Sequence, residues 1–120
     1  MWWPLFERDG GPPSLPSDRF RFVPVVEDIQ QLNKRACEAS LEDALEITAF
    51  SCACYPRVVD RYIITACGAS IGEGYGPKLV ARTSMDLDEL RDADKVIAVP
   101  GAQTTALMST SLMLGPDRFR

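Results

Sequence analysis

Two places in this 120-residue sequence put a hydroxyl at the start of a helical pattern directly after an apolar, strand-like run. Pro100-Gly101-Ala102-Gln103-Thr104-Thr105-Ala106 follows Val96 to Val99, and Ser51 follows Leu45 to Phe50. The free N–H groups and the positive dipole end of a helix start suit a carboxylate or phosphate. Thr104 fits a plain helix cap equally well, and Ser51 carries the same two readings; spacing alone leaves cap and ligand site both open. If both runs belong to one parallel sheet, the two helix starts face one crevice, at the end of the sheet where such folds bind ligands.

Other chemistries find less support. Histidine is absent, which removes the commonest general base and metal ligand near neutral pH. The loop Gly72-Glu73-Gly74-Tyr75-Gly76 resembles a nucleotide fingerprint, but Pro77 and a strand pattern follow where phosphate binding needs a helix, so a hinge or crossing loop with positive φ is the better reading. Cys37, Cys52, Cys54 and Cys67 lack the paired spacing of a zinc site and read as buried free thiols, with no metal. Asp86, Asp88, Glu89, Asp92 and Asp94 read as a solvated helix face, and Asp28 as a cap. Trp2 and Trp3 read as packed against the domain rather than as a binding patch. A net charge of −4 argues against a nucleic-acid or anionic-membrane surface and for a small-molecule or protein partner. The apolar opening Met1 to Phe6 is interrupted by Pro4 and followed at once by Glu7, Arg8 and Asp9, so it reads as neither a signal core nor a membrane span, which places the protein in the cytoplasm by default.

The elements that must position these groups read as follows. Residues 1–19, with Gly10, Gly11, Pro12, Pro13 and Pro16, form an irregular arm, and 20–120 a partial α/β lobe. Phe20 to Val26 is a strand; Asp28 then opens a helix, with Gln31 as reciprocal capping partner and Ile29, Leu32, Ala36 and Ala39 on its inner face. Leu45–Phe50, Tyr62–Ala66, Pro77–Thr83 and Val96–Val99 are further strands, the last reading as buried on both faces. Pro56 demands a kink, or a helix restart with itself in the first turn. Asp86 and Glu89 cap a short helix carrying Leu87 and Leu90 inward, and a last helix runs from Thr104 to Leu114 before Gly115 and Pro116. Strands and helices in alternation predict an α/β domain, with a mostly parallel sheet flanked by helices.

Four spaced segments in order resemble the 1,4-dihydroxy-6-naphthoate synthase family of the futalosine route to menaquinone, over about Val25 to Leu112. They are Glu27-Asp28-Ile29 with Leu32-Asn33; Ile47-Thr48-Ala49-Phe50-Ser51-Cys52-Ala53-Cys54-Tyr55-Pro56; Gly72-Glu73-Gly74-Tyr75-Gly76-Pro77; and Val99-Pro100-Gly101 with Thr104-Thr105-Ala106. The resemblance implies one lobe of a type II periplasmic-binding-protein-like fold, in a cytoplasmic enzyme. The family is a lyase that cleaves a C–C bond of cyclic dehypoxanthine futalosine without metal or organic cofactor. It also implies substrate contacts at Ala49, Phe50 and Ser51 and at Thr105 and Ala106, with an aryl carboxylate as ligand.

The family usually has Lys where this chain has Ala49, which removes one cationic contact. Its opening Ser-Pro-Cys-Pro-Asn-Asp segment and the proton-abstracting histidine of its second lobe have no counterpart here, so no catalytic residue is assigned. By this reading the fragment is inactive alone, and its uncovered apolar surface makes it self-associate or leaves it marginally stable. The rival readings are a non-catalytic small-molecule-binding or interaction module of the same fold, and the related chorismate dehydratase. The Gly-Tyr-Gly-Pro and Thr-Thr-Ala motifs favour the synthase.

Overall fold

The computed structural model describes residues 3–7, 9–92, 94–115 and 117, and leaves the side chains of Trp3 and Asp92 undescribed; Trp2 and Pro116 lie outside the described residues. The chain divides into two compact units, one from Met1–Glu27 with Ile64–Ile71 and one from Asp28–Ile63 with Gly72–Arg120.

In the first unit the glycines and prolines allow little regular structure. A single 3₁₀ turn spans Trp3–Leu5. The backbone N–H of Leu15 donates to the Pro4 carbonyl at 2.9 Å, closing the arm expected over 1–19 into a loop. The Ser17 hydroxyl accepts from the N–H groups of Arg19 and Phe20.

Asp28, Asp86 and Thr104 cap three helices of the second unit. Asp28 accepts from the N–H groups of Gln30 and Gln31 at 2.8 and 3.0 Å and starts α1, Ile29–Glu38. Gln31 takes part through its backbone only; its exposed side chain makes no reciprocal bond to Asp28 among the described residues. At the other end of α1 the Arg61 guanidinium donates to the carbonyls of Ala36 and Ala39, which have no acceptor role left inside the helix. A 3₁₀ turn, Cys52–Cys54, passes into the short helix α2, Tyr55–Val58, with Pro56 in its first turn as the sequence predicts. The capping box of α3, Leu87–Asp92, forms in both directions: Glu89 N–H donates to Asp86 at 2.7 Å and Asp86 N–H to Glu89 at 2.9 Å. Asp86, Asp88, Glu89 and Asp94 are exposed, as a solvated face should be, while Leu90 is half-buried and Leu87 exposed. Thr104 caps α4, Thr105–Leu114, by accepting from Leu107 N–H at 3.3 Å, and Gly115 at φ 102° ends it.

Among the described residues the buried apolar set is small: Ala36, Cys54, Val58 and Leu114. The inner face of α1 differs from the predicted one. Its centre is Asn33, 0% exposed, with Ala36 one turn on, whereas Ile29 is exposed and Leu32 half-buried. Apolar periodicity missed Asn33 because a polar side chain counts as surface unless its partners are known.

Among the described residues no strand forms, and 20–26, 45–50, 62–66, 77–83 and 96–99 are irregular. A helix satisfies its own backbone, but a strand exists only through the ladder a neighbour supplies. Without one, Val26, Val80 and Val96 stand almost fully in solvent. Residues 75–80 form no helix after the glycine loop, and Gly74 takes φ 71°, in keeping with a turn rather than a phosphate cradle.

Candidate functional site

The starts of the Cys52–Cys54 turn and of α4 meet around Asn33. The N–H of Ser51 donates to Asn33 Oδ1 at 2.8 Å, and Asn33 Nδ2 donates to Ser51 Oγ and to the Gln103 carbonyl, each at 3.1 Å. Ala53 N–H donates to Thr105 Oγ1 at 3.3 Å, and the Cys54 thiol to the Gln103 carbonyl at 3.0 Å. The Gln103 N–H donates to Gln30 Oε1, and a Cβ at Gly101 would push that same Gln30 side chain aside. Gly101 also adopts φ 154°, which disfavours other residues.

Ser51 sits at the N-cap position, but its hydroxyl does not cap. It accepts from Asn33 instead, and its own proton has no acceptor among the described residues. Thr104 is the cap: it is buried, and its hydroxyl donates to the Gly101 carbonyl at 2.8 Å while accepting from Leu107. Thr105, next in the chain, accepts from Ala53 N–H, and the N–H groups of Thr105 and Ala106 lie in the first turn, where helices have no internal acceptor. Of the two readings open at Thr104, the cap is the one its hydrogen bonds show.

The other expected contacts are placed differently. Phe50 is half-buried and packs with Tyr55, rings 6.2 Å apart and nearly parallel, and with Tyr62 at 6.0 Å. Ala49 is exposed, and its carbonyl accepts from Thr48. A cleft of about 290 Å³ opens beside the site, walled by Arg57, Leu107 and Met108; Ser51, Thr105 and Ala106 are not on its walls.

All four cysteines are free, and no cluster able to hold a metal ion occurs among the described residues. Cys54 is buried and Cys37 half-buried, but Cys52 and Cys67 are exposed, against the expectation of buried thiols. Cys67 lies in an irregular segment and Cys52 opens the 3₁₀ turn on its outer side, so neither has a partner surface. Burial pushes the Cys54 thiol up to about 11, helped by neighbouring Cys37 and opposed by Arg57.

The first-turn N–H groups of α4 are donors, and Gln103 Oε1 beside them is a buried acceptor with no partner among the described residues. The chain belongs to the menaquinone biosynthesis family, whose model matches residues 1–119. It is 42% identical over 90 residues to the 1,4-dihydroxy-6-naphthoate synthase of Thermus thermophilus, a match covering 74% of this chain and 30% of that relative's length. No solved structure matches the chain significantly. No helix among the described residues is long and apolar enough to cross a membrane.

Proposed function

We propose that this chain serves 1,4-dihydroxy-6-naphthoate synthesis in menaquinone biosynthesis as the part of the enzyme that holds the substrate's carboxylate. The reading is supported by the bonds that join the turn after Ser51 to the start of α4, Asn33 to Ser51 and Gln103 and Ala53 N–H to Thr105 Oγ1, in a chain 42% identical over 90 residues to a synthase of that name. In this reading 20–120 is a partial lobe of a type II periplasmic-binding-protein-like α/β fold with a mostly parallel sheet, working in the cytoplasm. The reaction is a C–C lyase step on cyclic dehypoxanthine futalosine with no metal or organic cofactor. Ser51 and Thr105 hydroxyls and the first-turn N–H groups of α4 bind and orient the carboxylate. The sequence holds no histidine, so these residues bind and orient, and proton abstraction is not assigned to them. The exposed valines and isoleucines make self-association the accompanying expectation.

The test is titration of the ¹⁵N-labelled 120-residue protein with 1,4-dihydroxy-6-naphthoate, followed by NMR, beside an assay for turnover of cyclic dehypoxanthine futalosine. Weak binding with amide shifts at Ser51, Thr105 and Ala106, reduced by Thr105→Val, and no turnover, is the expected result. Absence of shifts there at saturating ligand would sink the carboxylate site. Naphthoate formed by the 120-residue protein and lost in Thr105→Val would show that it carries catalytic machinery as well.

A further inference from the structure

We infer that Asn33 is the positioning residue that fixes the hydrogen-bond polarity of this site, by donating to the Ser51 hydroxyl oxygen so that the hydroxyl proton is left for a ligand. The inference rests on the reading that Ser51 meets the substrate's carboxylate.

The orientation of the Asn33 amide follows from its partners. A backbone N–H can only donate, so the atom facing Ser51 N–H at 2.8 Å is the amide oxygen. A backbone carbonyl can only accept, so the atom facing Gln103 O at 3.1 Å is the amide nitrogen. The second proton of that nitrogen lies toward Ser51 Oγ at 3.1 Å. A hydroxyl oxygen that accepts there turns its own proton away, and no acceptor for it exists among the described residues. Thr105 is set in the same sense by a different donor, the Ala53 N–H. With both hydroxyl oxygens accepting on their protein side, each keeps its own proton for a ligand. A carboxylate, which only accepts, suits both protons. Asn33 is fully buried and 18 residues from Ser51 in sequence, so its part in the site is indirect: it selects the ligand by constraining Ser51.

The experiment has a ligand-free and a ligand arm. In the first, the two side-chain amide protons of Asn33 are followed by NMR in the 120-residue protein and in Ser51→Ala. One proton should move upfield and exchange faster while its partner, held by Gln103, stays put; two unmoved protons would overturn the inference. In the second, 1,4-dihydroxy-6-naphthoate is titrated into the wild-type protein, Ser51→Ala, Asn33→Asp and the double variant. Asn33→Asp keeps the acceptor for Ser51 N–H but replaces the amide donor with an acceptor, so the Ser51 hydroxyl turns inward. Removing that hydroxyl should therefore weaken binding about tenfold beside Asn33, the scale of a hydrogen bond to a charged group, and less than about twofold beside the aspartate. An equal loss in both backgrounds would overturn the inference. If Asn33→Asp fails to fold, the ligand-free arm decides alone. If the wild-type protein shows no naphthoate binding while one Asn33 proton responds to Ser51→Ala, the functional reading fails and the orienting contact stands.

Discussion

Two regions of the second unit behave oppositely. Around Asn33, α1, the Cys52–Cys54 turn and the start of α4 meet with Ala36, Cys54 and Thr104 buried and their polar groups paired. In 77–83 and 96–99, Val80 and Val96 face solvent and no ladder forms. The first region is held by a polar side chain whose bonds are specific, the second contains β-branched residues whose burial depends on a partner strand. Order here follows from satisfied hydrogen bonds at a few positions more than from hydrophobicity.

The contrast can be broken at its strongest point first. Asn33→Leu keeps roughly the volume but strands the Ser51 N–H and the Gln103 carbonyl, so a loss of about 3 kcal/mol is expected, read from urea denaturation followed by circular dichroism. That is a large fraction of the stability of a domain this size. Next comes Cys54. With its thiol raised to about 11, it should have roughly a hundredth of the thiolate of an ordinary cysteine at pH 8, and alkylation followed by mass spectrometry should label Cys52 and Cys67 well before it. The sign for stability also follows. Between about pH 9 and 11 the folded chain keeps a proton on Cys54 that the unfolded chain has lost, so this contribution is whole below that interval and declines as pH rises through it. The smallest effect belongs to the other region: Val80→Thr or Val96→Thr should change stability by less than about 0.5 kcal/mol, because neither side chain is buried. A larger loss from Val96→Thr would mean that the segment is covered in solution.

Much of the helical framework was legible because its signals are local. Asp28, Asp86 with Glu89, Thr104, Pro56 and Gly115 all act within four residues of themselves, and each ends or starts a helix where the sequence places it. Asn33 was not legible in that way. Its partners lie 18 and 70 residues off, and no periodicity marks an asparagine that will be buried. Ser51 was found as a helix start, but the use of its hydroxyl was missed, since a cap and an acceptor for a distant amide look alike in sequence. The apolar runs mark segments suited to strands, while the ladder itself depends on a neighbour that no local pattern names.

The separation of 70 residues between Asn33 and Gln103 bears on the order in which the molecule assembles. The Asn33–Ser51 contact spans 18 residues and can close while the polypeptide is still being made, whereas the turn bearing Gln103 arrives much later. By loop entropy alone the longer closure is harder by about 1 kcal/mol. A nascent chain that has emerged from the ribosome only as far as α3 holds one amide proton of Asn33 in place and has nothing to offer the other. Slow codons or a stalled ribosome between α3 and α4 would therefore prolong a state in which that proton is left to water, and the turn that takes it must still find its place against α1.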